Sequence, residues 1–286
     1  MWHGLWQDQP GYEVTLAETP LEELLTLLNL EQIEENLFRG FHPKGRKHRL
    51  FGGQIIAQAL MAAARTVDGE RPVHSLHAYF LRPGDPSTPA IFDVERIRDG
   101  RSFSTRRIVV IQRGQAIFNM DASFQVVETG LSHSVPMPDV PQPDESLITE
   151  AMADRPFLSI RQQASDDAQA RKNEPTQYIW LKTTGPVPDD PLIHSTLLSY
   201  ESDSALLGTS RIPHMQAVQR KQMQVASLDH SIWYHQAVDV GEWLLYSLTS
   251  PNAGHARGYS RGTIHTQDGT LVASCIQEGL IRVHES

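Results

Sequence analysis

The sequence predicts an α+β fold made of two tandem units, each a central helix followed by an antiparallel sheet. Three observations lead to this prediction. An alanine-rich helix is apolar on almost every side, which is typical of a buried helix. Strand-like runs follow it at spacings too short for crossover helices, so their sheet should be antiparallel. Similar short patterns then recur about 150 residues later, too far apart for a solenoid.

The first two helices begin at recognisable N-terminal signals. Residues 1–18 are predicted to form a poorly structured arm. The segment Thr19-Pro20-Leu21-Glu22 then places threonine at a cap, proline at the first helical position and glutamate three residues after the cap. The second helix opens at Phe51-Gly52-Gly53-Gln54 and continues through IIAQALMAAARTV, with residues 54–66 as its body.

Four strands follow in the first half of the chain. They are rich in β-branched and aromatic residues, and Pro-Gly-Asp, Asp-Gly and Arg-Gly turn signals separate them. This spacing is typical of hairpins and meanders. The predicted strands are 73–82, 90–98, 102–112 and 116–127.

A polar, proline-rich stretch separates the two halves. From Glu128 to about Pro175 it is predicted to be a linker with at most a marginal helix. A strand is expected at 176–185 and a helix at 190–206, and further strands run to the end of the sequence. The predicted division is an arm at 1–18, a first unit at 19–130, a linker at 131–174 and a second unit at 175–286.

Short matches between the halves predict that the chain is a duplicated domain. A serine opens a strand in each half, and the glutamine at the end of the last strand of the first half is matched by a glutamine on a strand of the second half. The two central helices each carry one polar residue that we match in the same way. The matched residues are Ser75 with Ser227, Gln125 with Gln277, and Gln54 with Asp203.

Composition and missing motifs exclude several classes of protein. With 25 Lys and Arg against 34 Asp and Glu, the net charge is −9, which disfavours a nucleic-acid partner. The one cysteine, Cys275, favours a reducing compartment, and no apolar run reaches the roughly 18 residues of a membrane span. Phosphate-loop, dinucleotide, nucleophile-elbow and H-E-x-x-H patterns are missing. We therefore expect a cytoplasmic protein without a metal or cofactor.

Three polar residues are candidates for catalysis. Asp203 lies in a helix among leucines, where a buried carboxylate requires partners or a function. Ser227 and Gln277 stand on strands of the same half. A carboxylate, a hydroxyl and an amide that meet at one water molecule would activate and orient it. Spacing alone leaves the alternatives open, which are a solvated carboxylate and side chains that bond to backbone at strand ends.

Several long, well-spaced stretches carry a resemblance to a known family. They include LFGGQIIAQAL, VHSLHAYFLRPGD, DVERIRDGRSFSTRR, VPDDPLIHSTLLSYESD and QDGTLVASCIQEGLIR. From about Leu21 to Val283 the sequence resembles the acyl-CoA thioesterase II family, the TesB-like double hot-dog thioesterases of bacteria and peroxisomes. The catalytic aspartate, threonine or serine, and glutamine of that family correspond to Asp203, Ser227 and Gln277.

The resemblance implies both an architecture and a reaction. Each unit would be a mostly antiparallel sheet wrapped around its central helix, with the two sheets side by side. The enzyme would hydrolyse fatty acyl-CoA, of medium to long chain, to free fatty acid and coenzyme A. Asp203 would activate the water, and coenzyme A would be part of the substrate rather than a cofactor. The family forms homo-oligomers, and we expect the same here.

Two alternatives remain open at this point. A hot-dog enoyl-CoA hydratase would carry D-x-N-P-x-H on its central helix, whereas Asp203 is followed by Ser-Ala-Leu-Leu. A non-catalytic acyl-CoA-binding module would need an output domain, and none is apparent. The duplication adds a further expectation: Gln54 cannot act as a base, so each chain should have one active centre.

Other side chains are weaker candidates. Three histidines are considered for structural or positioning roles, and five arginines for contact with the phosphates of coenzyme A. Cys275 is expected to be a small buried hydrophobic residue rather than a nucleophile. The histidines are His74, His77 and His230, and the arginines are Arg101, Arg106, Arg107, Arg257 and Arg261.

Overall fold

The computed structural model describes residues 17–43, 49–67, 71–162, 174–218 and 222–284. Most of the predicted arm, residues 1–16, lies outside these ranges. The first described helix begins as predicted, because the Thr19 side chain accepts the Glu22 N–H at 3.2 Å and the Glu22 carboxylate accepts the Thr19 N–H. This capping box satisfies two backbone donors that the helix itself leaves open.

The elements of the first half follow the predicted order. A helix, a short hairpin and the long buried helix come before four antiparallel strands. The bounds are α1 Pro20–Leu28, β1 Glu31–Glu34, β2 Leu37–Gly40, α2 Gly52–Ala64, β3 Val73–Phe80, β4 Ala90–Asp99, β5 Phe103–Gln112 and β6 Gln115–Gln125.

The second half repeats this plan, but a short second helix and five strands, rather than four, follow its long helix. Within the described ranges, no helix is both long and apolar enough to cross a membrane. The bounds are α3 Glu150–Ala153, β7 Phe157–Gln162, β8 Thr176–Thr183, α4 Pro191–Ser202, α5 Leu206–Thr209, β9 Met223–Ser227, β10 Asp229–Tyr234, β11 Leu244–Gly254, β12 Arg257–Thr266 and β13 Leu271–Val283.

The thirteen strands of the described residues form one continuous antiparallel sheet. Its order is β1-β2-β4-β5-β6-β3-β10-β13-β12-β11-β8-β7, and β9 pairs with β13 beside β10. The two halves join at the pairing of β3 with β10, where Leu76 lies opposite Ile232. The α+β prediction and the side-by-side arrangement of the two sheets are therefore confirmed.

The structure adds strands that the sequence analysis did not predict. The hairpin β1–β2 is short, with four residues in each strand. Strand β7 lies inside the predicted linker and pairs with β8, and it buries Phe157 and Ile160. The expectation of at most a marginal helix there is wrong, because these two apolar side chains anchor an edge strand despite the polar residues around them.

The two long helices pack against each other beneath the sheet. Every residue of α2 from Gly53 to Ala63 is buried, as expected for a helix that is apolar on almost every side. The N-terminus of α2 meets the C-terminus of α4, and a Cβ atom on Gly53 would lie 2.0 Å from the Tyr200 carbonyl oxygen. Only glycine fits this approach. The contact brings an end of each unit's helix to one place.

Candidate active site

Asp203 is the C-terminal cap of α4, directly after Ser202. The predicted helix at 190–206 therefore ends earlier than expected. The side chain is 8% exposed and points toward the N-terminus of α2, in the other unit. The Gly53 N–H donates to Asp203 Oδ2 at 3.0 Å. A backbone donor at a helix N-terminus stabilises a negative charge, so α2 supports the ionised carboxylate.

Gly52 lies even closer to this carboxylate. A Cβ atom there would stand 2.6 Å from Asp203 Oδ2 and 2.8 Å from the Phe80 ring. The adjacent glycines Gly52 and Gly53 therefore allow the helix backbone to approach the acid. The sequence analysis treated these glycines only as the start of a helix. The available signal for this contact was the run Phe-Gly-Gly-Gln. The partner of Gly53, however, is Asp203, which lies 150 residues later in the sequence.

Ser227 and Gln277 reach the other oxygen of the same carboxylate. Ser227 ends β9 and pairs with Gly279 of β13, two residues after Gln277 on that strand. The Ser227 hydroxyl donates to Asp203 Oδ1 at 3.2 Å, and the Gln277 side-chain N–H donates to the same oxygen. The structure therefore brings together all three residues that the sequence analysis selected.

Burial dominates the electrostatics of this site. It raises the pKa of Asp203 to about 6, although hydrogen bonds from Gln277, Ser227 and Gly53 and the charge of Arg49 act in the opposite direction. Burial also raises the pKa of Glu201 to about 7, against a hydrogen bond from Ser204 Oγ at 2.6 Å. Asp203 is thus ionised near neutral pH while its carboxylate is more basic than usual.

The positions matched to this site in the first half do not form a second one. Gln54 is the third residue of α2, whereas Asp203 follows the last residue of α4, so their proposed equivalence is wrong. The Gln54 amide instead lies 3.3 Å from the Phe41 carbonyl oxygen and 3.0 Å from His42 Nδ1. Judged by helix position, the counterpart of Asp203 is Arg65, the C-cap of α2.

The strand matches differ as well. Gln125 follows the buried Phe124 on β6 and donates to Glu128 at 3.2 Å, whereas Gln277 is 1% exposed. Because side chains alternate along a strand, Gln125 points to the face opposite Phe124 and away from the helices. Ser75 is buried on β3, where its backbone lies opposite Ser123. Gln125 and Gln277 therefore lie on opposite faces of corresponding strands, and Ser75 lies on β3 whereas Ser227 lies on β9.

The other predicted candidates are dispersed. His74 contacts Ser123 at 2.8 Å, and His77 is exposed and contacts Ser231 at 3.0 Å. His230 is fully buried and lies 3.5 Å from the Gln277 amide nitrogen. Of the three histidines, His230 is the one bonded to the Asp203 group in the described structure.

Arg106 and Cys275, two further candidates, are both buried in the structure. Arg106 is fully buried and bonds to Asp99 at 2.6 Å and to Thr66 at 2.8 Å, so the suggestion that it meets a phosphate is wrong. Cys275 is buried, and burial raises the pKa of its thiol to about 12. This agrees with its expected role as a buried hydrophobic residue.

A cavity of about 430 Å³ lies next to the helix ends that hold Asp203. Phe51 and Tyr200 form part of its wall, and their rings meet edge-to-face with centroids 4.9 Å apart. Its volume is in the range of small-molecule sites. The apolar lining residues are Pro20, Leu24, Leu27, Pro43, Phe51, Pro156, Phe157 and Tyr200, and the polar ones are Glu23, Gln54, Asp154, Arg155, Glu201 and Ser204.

Comparisons with known proteins assign the chain to a family. The family model for acyl-CoA thioesterase matches residues 151–280, and the model for the acyl-CoA thioesterase N-terminal domain matches 42–125. Acyl-CoA thioesterase 2 of Haemophilus influenzae is 40% identical over 93% of this chain and 99% of its own length. This chain belongs to the acyl-CoA thioesterase family. Acyl-coenzyme A thioesterase 8 of Homo sapiens is also 40% identical, over 90% of this chain and 88% of its own.

Solved structures of the acyl-CoA thioesterase family agree with this assignment. The crystal structure of acyl-CoA thioesterase II TesB2 from Mycobacterium marinum is 41% identical, with a TM-score of 0.82 over 92% of this chain and 99% of its own. A hot-dog protein from Alicyclobacillus acidocaldarius, at 18% identity, shows the same fold with a TM-score of 0.76. The expected family, double hot-dog fold and hydrolysis of acyl-CoA are confirmed. The relatives at 40% identity are thioesterases, which favours hydrolysis over the hydratase and binding-module alternatives.

Proposed function

We propose that this thioesterase hydrolyses medium- to long-chain fatty acyl-CoA with Asp203 as the general base. The observation that carries the proposal is the convergence of three donors on one buried carboxylate. Ser227 and Gln277 donate to Oδ1, and the Gly53 N–H donates to Oδ2. Two donors fill the lone pairs of Oδ1, which leaves Oδ2 with the capacity to accept a proton from water.

The proposed reaction is addition of water to the thioester followed by loss of the thiolate. Asp203 takes a proton from water as the water oxygen bonds to the thioester carbon, and the carbonyl oxygen becomes an oxyanion. Collapse of this intermediate re-forms the carbonyl, breaks the carbon–sulfur bond and releases coenzyme A, whose thiolate takes up the proton. A thiol pKa of roughly 8.5, by analogy with cysteine, makes this a good leaving group that needs little acid assistance.

Ser227 and Gln277 hold the base in this proposal. Their donation to Oδ1 fixes the rotation of the carboxylate, so that Oδ2 faces the N-terminus of α2. The partial positive charge of that helix end then lies beside Oδ2 and stabilises the ionised base. General bases work best when their pKa lies near the operating pH, and the pKa of about 6 for Asp203 satisfies this condition.

The preference for longer acyl chains rests on the apolar helices and the adjacent cavity. Leu24, Leu27 and Phe157 line the cavity beside Phe51, the residue before the Gly52-Gly53 pair. Apolar walls favour burial of methylene groups, at about 0.8 kcal/mol for each one. A series of acyl-CoA substrates from acetyl to palmitoyl, followed by thiol release, tests this preference. Activity confined to acetyl-CoA, or to esters of acyl carrier protein, would contradict it.

The catalytic assignment is tested with Asp203→Asn in the same assay. The side chain keeps its size but loses its basicity, so palmitoyl-CoA hydrolysis should fall by about 10²- to 10⁴-fold. We also propose that the reaction needs no cofactor, since an ionised base and a good leaving group are sufficient. Dialysis against EDTA should therefore leave the rate unchanged, and restoration of a lost rate by added metal would contradict the proposal.

We further propose a homo-oligomer in the cytoplasm. Edge strands β1 and β7 end the described sheet, and such edges favour association. The free, buried thiol of Cys275 suits a reducing compartment. Light scattering should return a mass above the 32.1 kDa of one chain, and cell fractionation should recover the protein with cytoplasmic markers. A monomer at micromolar concentration would contradict the first expectation, and recovery with another compartment would contradict the second.

A further inference from the structure

His230 is a buried titratable side chain that the proposed reaction does not use. It lies on β10, where the two units join, opposite Ala78 of β3. The ring is fully buried, and burial lowers its pKa to about 3. The imidazole is therefore neutral at the pH where Asp203 is ionised. One ring nitrogen carries a proton and donates, and the other accepts.

The neighbours of the ring determine which nitrogen carries the proton. His230 Nε2 lies 2.9 Å from Ser202 Oγ, and the Ser202 hydroxyl donates to the Ser199 carbonyl oxygen at 2.9 Å. The one hydroxyl proton of Ser202 is thus used on Ser199. The Ser202 oxygen must accept from Nε2, so Nδ1 of His230 has no proton and is an acceptor.

This acceptor faces the amide of Gln277. The Gln277 nitrogen lies 3.5 Å from His230 Nδ1 and donates its other proton to Asp203 Oδ1. Both acceptors require the nitrogen end of the amide. The Gln277 oxygen is consequently turned away from them, and within the described residues this buried atom has no hydrogen-bond partner. It is available to accept a hydrogen bond from the reacting water, whose proton goes to Asp203.

We propose that His230 is a positioning residue that acts through Gln277. As the neutral Nε2–H tautomer, it holds the amide with its nitrogen on Asp203 and its oxygen toward the water. This inference rests on the proposed function, in which Asp203 is the base. Ser202 takes part as the group that fixes the tautomer, and it directly precedes Asp203 in the chain.

A double-mutant cycle tests the inference. His230→Leu removes both ring nitrogens, and we expect kcat for palmitoyl-CoA to fall about tenfold with KM unchanged, in line with the loss of one hydrogen bond. In a Gln277→Ala background the same substitution should cause no further loss, because its effect passes through the amide. An equal loss in both backgrounds would overturn the inference.

The pH profile gives a readout that a purely structural role would not move. Donation by Gln277 lowers the pKa of Asp203, so a loosened amide should shift the acid limb of kcat/KM upward in His230→Leu. An unchanged acid limb would contradict the inference. His230→Asn offers a carbonyl oxygen near the place of Nδ1, and it should restore most of the lost kcat. Because Asn is also polar, it serves if the leucine variant does not fold. A kcat for His230→Asn no higher than that of a folded leucine variant, or about tenfold below native where the leucine variant does not fold, would overturn the inference.

Two controls separate this test from the proposed function. His235 follows β10, is exposed and contacts Ser274 Oγ at 2.9 Å, so His235→Leu should leave kcat and the acid limb unchanged. Asp203→Asn is measured in parallel. Full activity in Asp203→Asn would overturn the proposed function and this inference together. An inactive Asp203→Asn combined with additive losses at His230 and Gln277 would overturn this inference alone.

Discussion

The two central helices begin in different ways, and the difference explains where the site lies. In α4, Asp190 caps its own helix by accepting the Leu192 N–H at 2.8 Å, and Pro191 contributes no N–H. In α2, the N-cap residue Phe51 makes no side-chain cap bond, and the Gly53 N–H donates instead to the Asp203 side chain of the other unit. The N-terminus of α4 is thus capped by its own residues, whereas the N-terminus of α2 has an N–H that can bind a carboxylate from elsewhere in the chain.

The helix C-termini differ in the complementary way. α4 ends at an acid, Asp203, whereas α2 ends at Arg65, which donates to the Leu30 carbonyl at 2.5 Å and to Asn29 at 2.7 Å. A cation is the usual stabilising group at a helix C-terminus, and a carboxylate there is unfavourable. The carboxylate of Asp203 therefore destabilises the C-terminus of α4. The Gly53 N–H at the start of α2 offsets this effect by donating to Oδ2. Both units thus contribute to the cluster around the Asp203 carboxylate.

The largest expected effect on kcat comes from comparing substitutions at the two helix C-caps, Asp203 in α4 and Arg65 in α2. Asp203→Asn should lower kcat by about 10²- to 10⁴-fold with the fold intact, because the amide cannot act as a base. The matched change in the first unit, Arg65→Gln, should leave kcat near that of the native enzyme. Steady-state assays with palmitoyl-CoA and circular dichroism measure both variants. Comparable losses from the two changes would refute the assignment of a single site.

A second prediction tests the approach of α2 to the carboxylate. Gly52→Ala places a Cβ atom 2.6 Å from Asp203 Oδ2, so the carboxylate must move. Displacement of a catalytic group by about 1 Å can lower the rate by about 10²-fold, and we expect kcat to fall by up to that factor. Gly208→Ala is the control, since a Cβ atom there meets no atom within 4 Å. Native kcat in Gly52→Ala would show that this close approach is unimportant for the reaction.

The third prediction concerns pH. Protonation removes the base, and the pKa of Asp203 is about 6, so kcat/KM should fall about tenfold for each pH unit below that value. Ser227→Ala removes a donor that stabilises the ionised form, which should move the midpoint to higher pH. Initial rates between pH 4.5 and 8 measure both profiles. A midpoint near 4, the ordinary value for aspartate, would be inconsistent with a buried base.

The sequence predicted the individual helices better than it predicted the contact between them. The capping box at Thr19 and the buried helix α2 followed from local pattern, because hydrogen bonding and periodicity act over a few residues. The match of Gln54 with Asp203 was wrong because it compared sequence offsets rather than positions along a helix. The Gly53–Asp203 bond joins residues 150 apart, and it depends on how the two sheets pair.

The catalytic candidates show the same limit. Ser227 and Gln277 were selected from the internal repeat, and the family resemblance then gave them a catalytic role, since spacing alone could not show that they converge. Their convergence on Asp203 requires β9 to pair with β13 in a particular register, which places Ser227 opposite Gly279. That register is set by the buried faces of many strands together. The register of β9 and β13 therefore could not be predicted from local sequence patterns.

The smallest expected effect is at the N-terminus of α4, and it affects stability rather than rate. Asp190→Ala removes the cap on the Leu192 N–H, and loss of such a cap costs about 1 kcal/mol. For a chain of this size we expect Tm to fall by about 2–4 °C. Because the Asp190 side chain bonds to its own helix, away from Asp203, kcat should not change. The neighbouring exposed Asp189 provides the control, and Asp189→Ala should shift Tm by less. A loss of kcat in Asp190→Ala without a change in Tm would mean that the α4 N-terminus contributes to catalysis, and the contrast between the two helix N-termini would then fail.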